Sequence, residues 1–186
     1  MLLPFTVTGN LGNIEGDAAD GVLIGTLTAA DPTVGTLETR RTAALCFTDD
    51  GGVYVDETAT LADATADDVE VLPATPADDD AVYFGHATTM IDGLVLNQTT
   101  QGVGTWTITW NYWNGTAWTA LSDVVDGTTG FTAATGWVTV KWTVPSDAAL
   151  TTVDSSNAYW VQAVVSGYSA VTTAPQIGQG YCTRDS

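Results

Sequence analysis

Apolar residues along this chain recur in short runs, and the clearest of them alternates. In residues 105–113 (TWTITWNYW), Trp106, Ile108, Trp110 and Tyr112 take one set of alternate positions. Thr105, Thr107, Thr109 and Asn111 take the other. A period of two sends successive side chains to opposite faces, so this segment is expected to be a strand with one buried face. Asn114-Gly115 follows, a pair that tolerates left-handed backbone and so predicts a hairpin into residues 116–121. Further strands are expected over 81–84, ended by Gly85, over 91–96, over 136–144, closed by Pro145, and over 158–165, ended by Gly167. Their spacing fits an antiparallel sandwich or jelly roll. No long helical period occurs, although residues 147–153 leave room for one helical turn.

The first part of the chain is also β-rich but more thinly apolar. Residues 21–27 (GVLIGTL) and 43–47 (AALCF) suggest short buried strands. Asp49-Asp50-Gly51-Gly52 suggests a hairpin turn into Val53-Tyr54-Val55. All seven tryptophans lie between Trp106 and Trp160. The stretch 62–80 holds Pro73, Pro76 and crowded aspartates, which favour an extended connection. These features predict an all-β protein in two parts. Residues 1–79 form a β-rich, extended N-terminal arm for attachment, too light to fold well alone. Residues 80–186 form an antiparallel jelly-roll or β-sandwich domain.

Composition narrows the partners. Twenty-two acidic residues against four basic ones give a formal net charge of −18. The cations Arg40, Arg41, Lys141 and Arg184 are too few to build a phosphate-binding patch, so nucleic acid is not an expected partner. An anionic membrane surface would repel the chain for the same reason. Such a balance suits either a basic partner or surroundings where salt screens self-repulsion, as in a halophilic host. Only 14% of residues are charged, and the gap is filled by Thr, Ser, Gly, Ala and Asn. Threonine is β-branched and polar, which suits the wet side of a strand. Cys46 and Cys182 are too few for a disulfide framework or a structural zinc site, and the sequence leaves open whether they pair. Residues 1–8 lack the basic and apolar regions of a signal peptide, and no apolar run reaches the ~20 residues of a membrane span. A soluble protein is expected.

Candidate chemistry is sparse. The segment 110–118 (WNYWNGTAW) has two readings. Exposed faces at Tyr112, Trp113, Asn114 and Trp118 would stack on and bond to a sugar, or the aromatics fill the core of a hairpin and its rim. The clusters Asp49-Asp50, Asp67-Asp68, Asp78-Asp79-Asp80 and Asp123 with Asp126 suit solvated turns. Calcium needs six to eight converging oxygens, and no stretch follows the twelve-residue calcium loop, although Asp123 and Asp126 could serve a non-standard site. His86 has no neighbouring nucleophile, and no G-x-S-x-G pattern is present. The glutamates Glu15, Glu38, Glu57 and Glu70 all lie outside the aromatic half, and no pair of carboxylates is spaced for glycoside hydrolysis. Phosphate-loop and dinucleotide patterns are missing. The expectation is a non-enzymatic protein with no catalytic residues, metal ligands or cofactor.

A combination of short motifs carries a resemblance. Asp80-Ala81-Val82-Tyr83-Phe84-Gly85, then Trp110 to Trp118 (WNYWNGTAW), Asp126-Gly127-Thr128, and Tyr159-Trp160-Val161 together resemble structural proteins of tailed bacteriophages. The match spans residues 57–165. It implies a jelly-roll-like module on a virion, as a capsid decoration (cement) protein, a baseplate component or a fibre. It further implies assembly in the host cytoplasm, a homotrimer, and binding to the major capsid protein or another virion protein. On that view the N-terminal segment grips the particle or sister subunits.

Overall fold

The computed structural model describes residues 40–64, 69–73 and 75–184, with residues 40–43 described by backbone alone. The strand expected over 21–27 and the pair Asp67-Asp68 lie outside the described residues. The first elements are β1 (Arg40–Ala43), β2 (Leu45–Asp50), β3 (Val53–Asp56), the short helix α1 (Thr58–Ala62) and β4 (Val69–Glu70). Then come β5 (Ala81–His86), β6 (Gly93–Thr100), β7 (Val103–Trp113), β8 (Trp118–Ala120) and β9 (Val125–Asp126). The chain continues through β10 (Gly136–Lys141), β11 (Leu150–Val153), β12 (Ser156–Thr173) and β13 (Gln176–Arg184). Where a helical turn had room over 147–153, residues 150–153 instead form β11, which pairs antiparallel with the start of β12.

Two antiparallel sheets face each other. One has the order β1-β13-β6-β10-β9, with β4 beside β13. The other has the order β3-β2-β5-β12-β7-β8, with β11 beside β12. The pairs β1/β13, β5/β12, β6/β10 and β7/β8 explain the order. Each sheet takes alternate pairs, so the chain winds as one long hairpin rolled on itself, which is the jelly-roll arrangement. The β2–β3 hairpin is an addition between the first and second strands of that roll. It extends the second sheet beyond β5 and leaves β3 at its edge.

Among the described residues, pairing runs across position 79/80. β1 lies against β13, β2 against β5 and β4 against β13, so these strands belong to the same sandwich as the aromatic half. Apolar residues over 40–79 are few, yet Cys46, Phe47, Leu61, Val69, Val71 and Leu72 are all buried. The segment reads as thin because part of the surface it packs on, β13 and Trp160, comes from more than 100 residues later in the chain. Gly180 of β13 shows how close that packing is: a Cβ there would lie 2.8 Å from a methyl carbon of Leu61.

The register divides the residues of the second sheet between two cores. Cys46, Phe84, Val161 and Tyr112 stand side by side across β2, β5, β12 and β7 and face the other sheet. There Trp110 meets Phe84, Phe131 and Trp142, with ring centroids 5.9–6.4 Å apart. The alternation of 105–113 is thus realised, with Trp110 and Tyr112 buried and the threonines exposed. On the opposite face, Phe47, Tyr83, Val153, Ala158 and Trp160 form a second, smaller cluster packed with Leu45 and Trp118.

Candidate functional site

The β7–β8 hairpin is built around Asn114. Its Oδ1 accepts hydrogen bonds from the backbone N–H groups of Thr116 and Ala117, each at 2.9 Å, and its Nδ2 donates to Thr119 Oγ1 at 3.0 Å. Gly115 takes the left-handed backbone the turn requires, at φ 94°. The turn sets Trp113 directly opposite Trp118, edge to face at 5.7 Å. Trp118 in turn contacts Tyr83 at 5.5 Å, Tyr83 contacts Trp160 at 6.4 Å, and Trp160 contacts Phe47 at 5.4 Å. Trp160 can lie flat on the sheet because its cross-strand neighbour is Gly85; any Cβ at that position would collide with the indole.

The four residues expected to contact a glycan therefore separate. Tyr112 is a correction: it faces the interior, and its hydroxyl donates to Asp147 Oδ1 at 2.9 Å, since alternation puts it on the face of Trp110. Asn114 spends its amide on the turn. Trp113 and Trp118 are half-buried and form the rim of the outer cluster. Only these two keep ring area at the surface.

Three of the described aspartates singled out by the sequence accept hydrogen bonds in turns and loops. Asp80 is buried, and its carboxylate accepts from the N–H of Gly51 at 2.9 Å and of Ala77 at 2.7 Å. Asp126 accepts from Thr128 N at 2.8 Å, Gly130 N at 3.0 Å and Trp110 Nε1 at 3.2 Å. Asp123 accepts from Thr143 Oγ1 at 3.0 Å. His86 Nδ1 lies among the hydroxyls of Thr88 and Thr89. Among the described residues, no three His, Cys, Asp or Glu side chains are grouped to hold a metal ion. Cys46 and Cys182 are buried free thiols on facing sheets, with Cys182 Sγ 3.7 Å from the Gly85 carbonyl oxygen. Burial pushes both thiols well above their ordinary pKa.

Two other surface features have more reach. On the outer face of the first sheet, Trp137 is 51% exposed and stacks on Tyr181, centroids 6.0 Å apart and planes 21° apart. Asn97 and Gln179 lie beside them in register. The signal was present in the sequence: Trp137 shares its alternate positions with Thr139 and Lys141, while Val138, Val140 and Trp142 take the inward set. The second feature is a cleft of about 390 Å³ beside the β2–β3 hairpin, lined by Asp50, Val55, Glu57, Glu70, Val71 and Pro73 among others.

No family model matches the chain, and no curated protein matches it either. No helix among the described residues is long and apolar enough to cross a membrane.

Proposed function

We propose that this chain is a non-enzymatic virion structural protein, most specifically a capsid decoration protein that binds and stabilises an assembled shell. The reading rests on the motif combination that resembles tailed-phage structural proteins. One observation supports it: those motifs are joined to one another in space. Gly85 seats Trp160, Tyr83 bridges Trp160 and Trp118, and Asp126 holds Trp110. Short motifs that interlock in this way form one framework and so act as a single signature of the fold rather than as independent coincidences. The mechanism is mass action: a chain that binds only the assembled lattice stabilises that lattice by an amount set by its concentration relative to the dissociation constant. The partner is the major capsid protein or a neighbouring virion protein, and the module acts as a homotrimer at the virion surface.

The test is the copy number of the chain in purified particles, measured by quantitative mass spectrometry against the major shell protein. A ratio near one to one is the expected result. A few per cent would move the protein to the tail, baseplate or fibre, and absence from particles would end the virion reading. A second reading, a glycan-binding module, is favoured by the Trp137–Tyr181 stack, whose flat apolar surface beside Asn97 and Gln179 suits a sugar ring. Sugar-dependent tryptophan fluorescence that disappears in Trp137→Ala would carry it.

A further inference from the structure

The β2–β3 hairpin ends the second sheet on a strand that differs from every other strand whose side-chain burial is described. All four residues of β3 are exposed, and three of them are apolar: Val53 at 67%, Tyr54 at 38% and Val55 at 49%. The two-residue turn at Gly51-Gly52 makes Asp50 and Val53 the hydrogen-bonded pair that closes the hairpin. Alternation then turns the backbone N–H and C=O of Tyr54 away from β2, toward the sheet edge. The same holds for Asp56, because the next bond to β2 is Glu57 N–H to the Cys46 carbonyl at 2.9 Å. Among the described residues no strand pairs with that side. Edge strands are commonly blunted by lysine, proline or a bulge, and β3 has none of these.

The surroundings indicate what such an edge would accept. Asp50 lies across the hairpin from Val53, and Val55 opens onto the cleft lined by Glu57 and Glu70. Asp56 is on the strand itself. A second copy pairing here would bring the same carboxylates against these, in a chain whose net charge is −18. A segment with Lys or Arg flanking apolar residues meets no such repulsion and offers cations to each carboxylate.

We infer that β3 is a docking edge for an extended basic segment of another protein, which adds to the second sheet as its next strand. Main-chain bonds to Tyr54 and Asp56 supply the affinity, Val53 and Val55 receive its apolar side chains, and the carboxylates select its charge. The inference stands on the geometry of this edge and does not require the virion reading.

The test uses the full chain and a fluorescent ten-residue peptide of alternating valine and threonine with lysines at both ends. A matched peptide carries glutamates in place of the lysines. Fluorescence anisotropy should show the lysine peptide binding at least about tenfold more tightly, with the preference shrinking as salt is raised. Tyr54→Pro removes an outward N–H without touching the β2–β3 ladder, and binding should fall about tenfold or more. Because that variant also loses the contact of Tyr54 with Tyr83, a second variant reverses charge at two exposed positions, Asp50→Lys with Glu70→Lys. It should bind the glutamate peptide in preference. Equal binding of both peptides, or an unchanged preference in the charge-reversed chain, would overturn the inference. So would self-association by sedimentation that Tyr54→Pro abolishes, since the occupant would then be a second copy.

Discussion

The outer faces of the two sheets both carry aromatic residues, and they treat them in opposite ways. On the β5–β12–β7–β8 side, Trp160 is fully buried beneath Phe47, Tyr83 and the rim of Trp113 and Trp118. On the β13–β6–β10 side, Trp137 is half exposed with Tyr181 as its stacking partner. The two faces differ in cross-strand company. Trp160 has Gly85 beside it and Leu45 and Phe47 two strands away, so its ring lies down and other apolar groups close over it. Trp137 has polar neighbours in register, Asn97 beside it and Thr139 next along its own face, and among the described residues Tyr181 stacks on it while half of its surface stays exposed. An aromatic becomes core or surface according to neighbours that are distant in sequence.

The strongest way to break this comparison is Trp160→Ala. If the outer cluster is a true core, the loss should be about 3–5 kcal/mol, measured by urea unfolding. A loss below about 1 kcal/mol would mean that the cluster is a surface decoration like Trp137. Next in size is Gly85→Ala, which adds a single methyl group where the indole lies. It should destabilise by about 1–3 kcal/mol through overpacking, and the double variant Gly85→Ala/Trp160→Ala should cost less than the sum of the two. Additivity would show that the two residues do not meet.

Much of the fold was legible, and the reasons are local. The strand over 105–113 announces itself by strict alternation, and Asn114-Gly115 and Gly51-Gly52 announce their turns through backbone conformation that few residues adopt. β13 was not legible, because QIGQGYCTR spreads Ile177, Tyr181 and Cys182 among glycines and glutamines without a clear period. Its place between β1 and β6 depends on Gly180 admitting Leu61 and Leu96, a fit no linear pattern displays. The burial of Leu61 was illegible for the same reason: the strand it packs on, at Gly180, lies far along the chain. The site was less legible still. Trp113 and Trp118 drew attention by their density, whereas Trp137 sits in an ordinary-looking strand and carries more open surface.

A third prediction separates the cores by pH. Burial raises Cys46 and Cys182 above their ordinary value of 9.0 in the inner core, and burial first, then Tyr54 and Asp49, raises Tyr83 above 10.0 in the outer one. In each case the unfolded chain ionises first, so between the ordinary and the raised pKa it holds fewer protons than the folded chain. Stability is therefore fully present below pH 9 and falls as pH rises, by up to about 1.4 kcal/mol per pH unit for each group. Denaturation at pH 8, 9, 10 and 10.5 should show the thiol contribution beginning near pH 9 and the phenol contribution near pH 10. Tyr83→Phe should flatten only the later part. A decline of equal slope in Tyr83→Phe above pH 10 would remove the outer cluster from the account.

The smallest effect tests the other face. Trp137→Ala removes an aromatic stack but leaves no cavity, so stability should change by about 1 kcal/mol or less by the same unfolding assay. A half-exposed indole with so little structural value still keeps a large apolar area in water, at a cost in solubility that threonine at this position would avoid. A loss of 3 kcal/mol or more would give that exposure a structural explanation and make the two faces alike. A small loss, with a sugar-induced fluorescence change that disappears in the variant, would make Trp137 a ligand contact and the contrast between the faces a division of labour. A small loss with no response to sugars would instead favour a protein surface for the stack, and on the virion reading proposed above Trp137→Ala should then reduce occupancy on purified particles without altering the melting temperature.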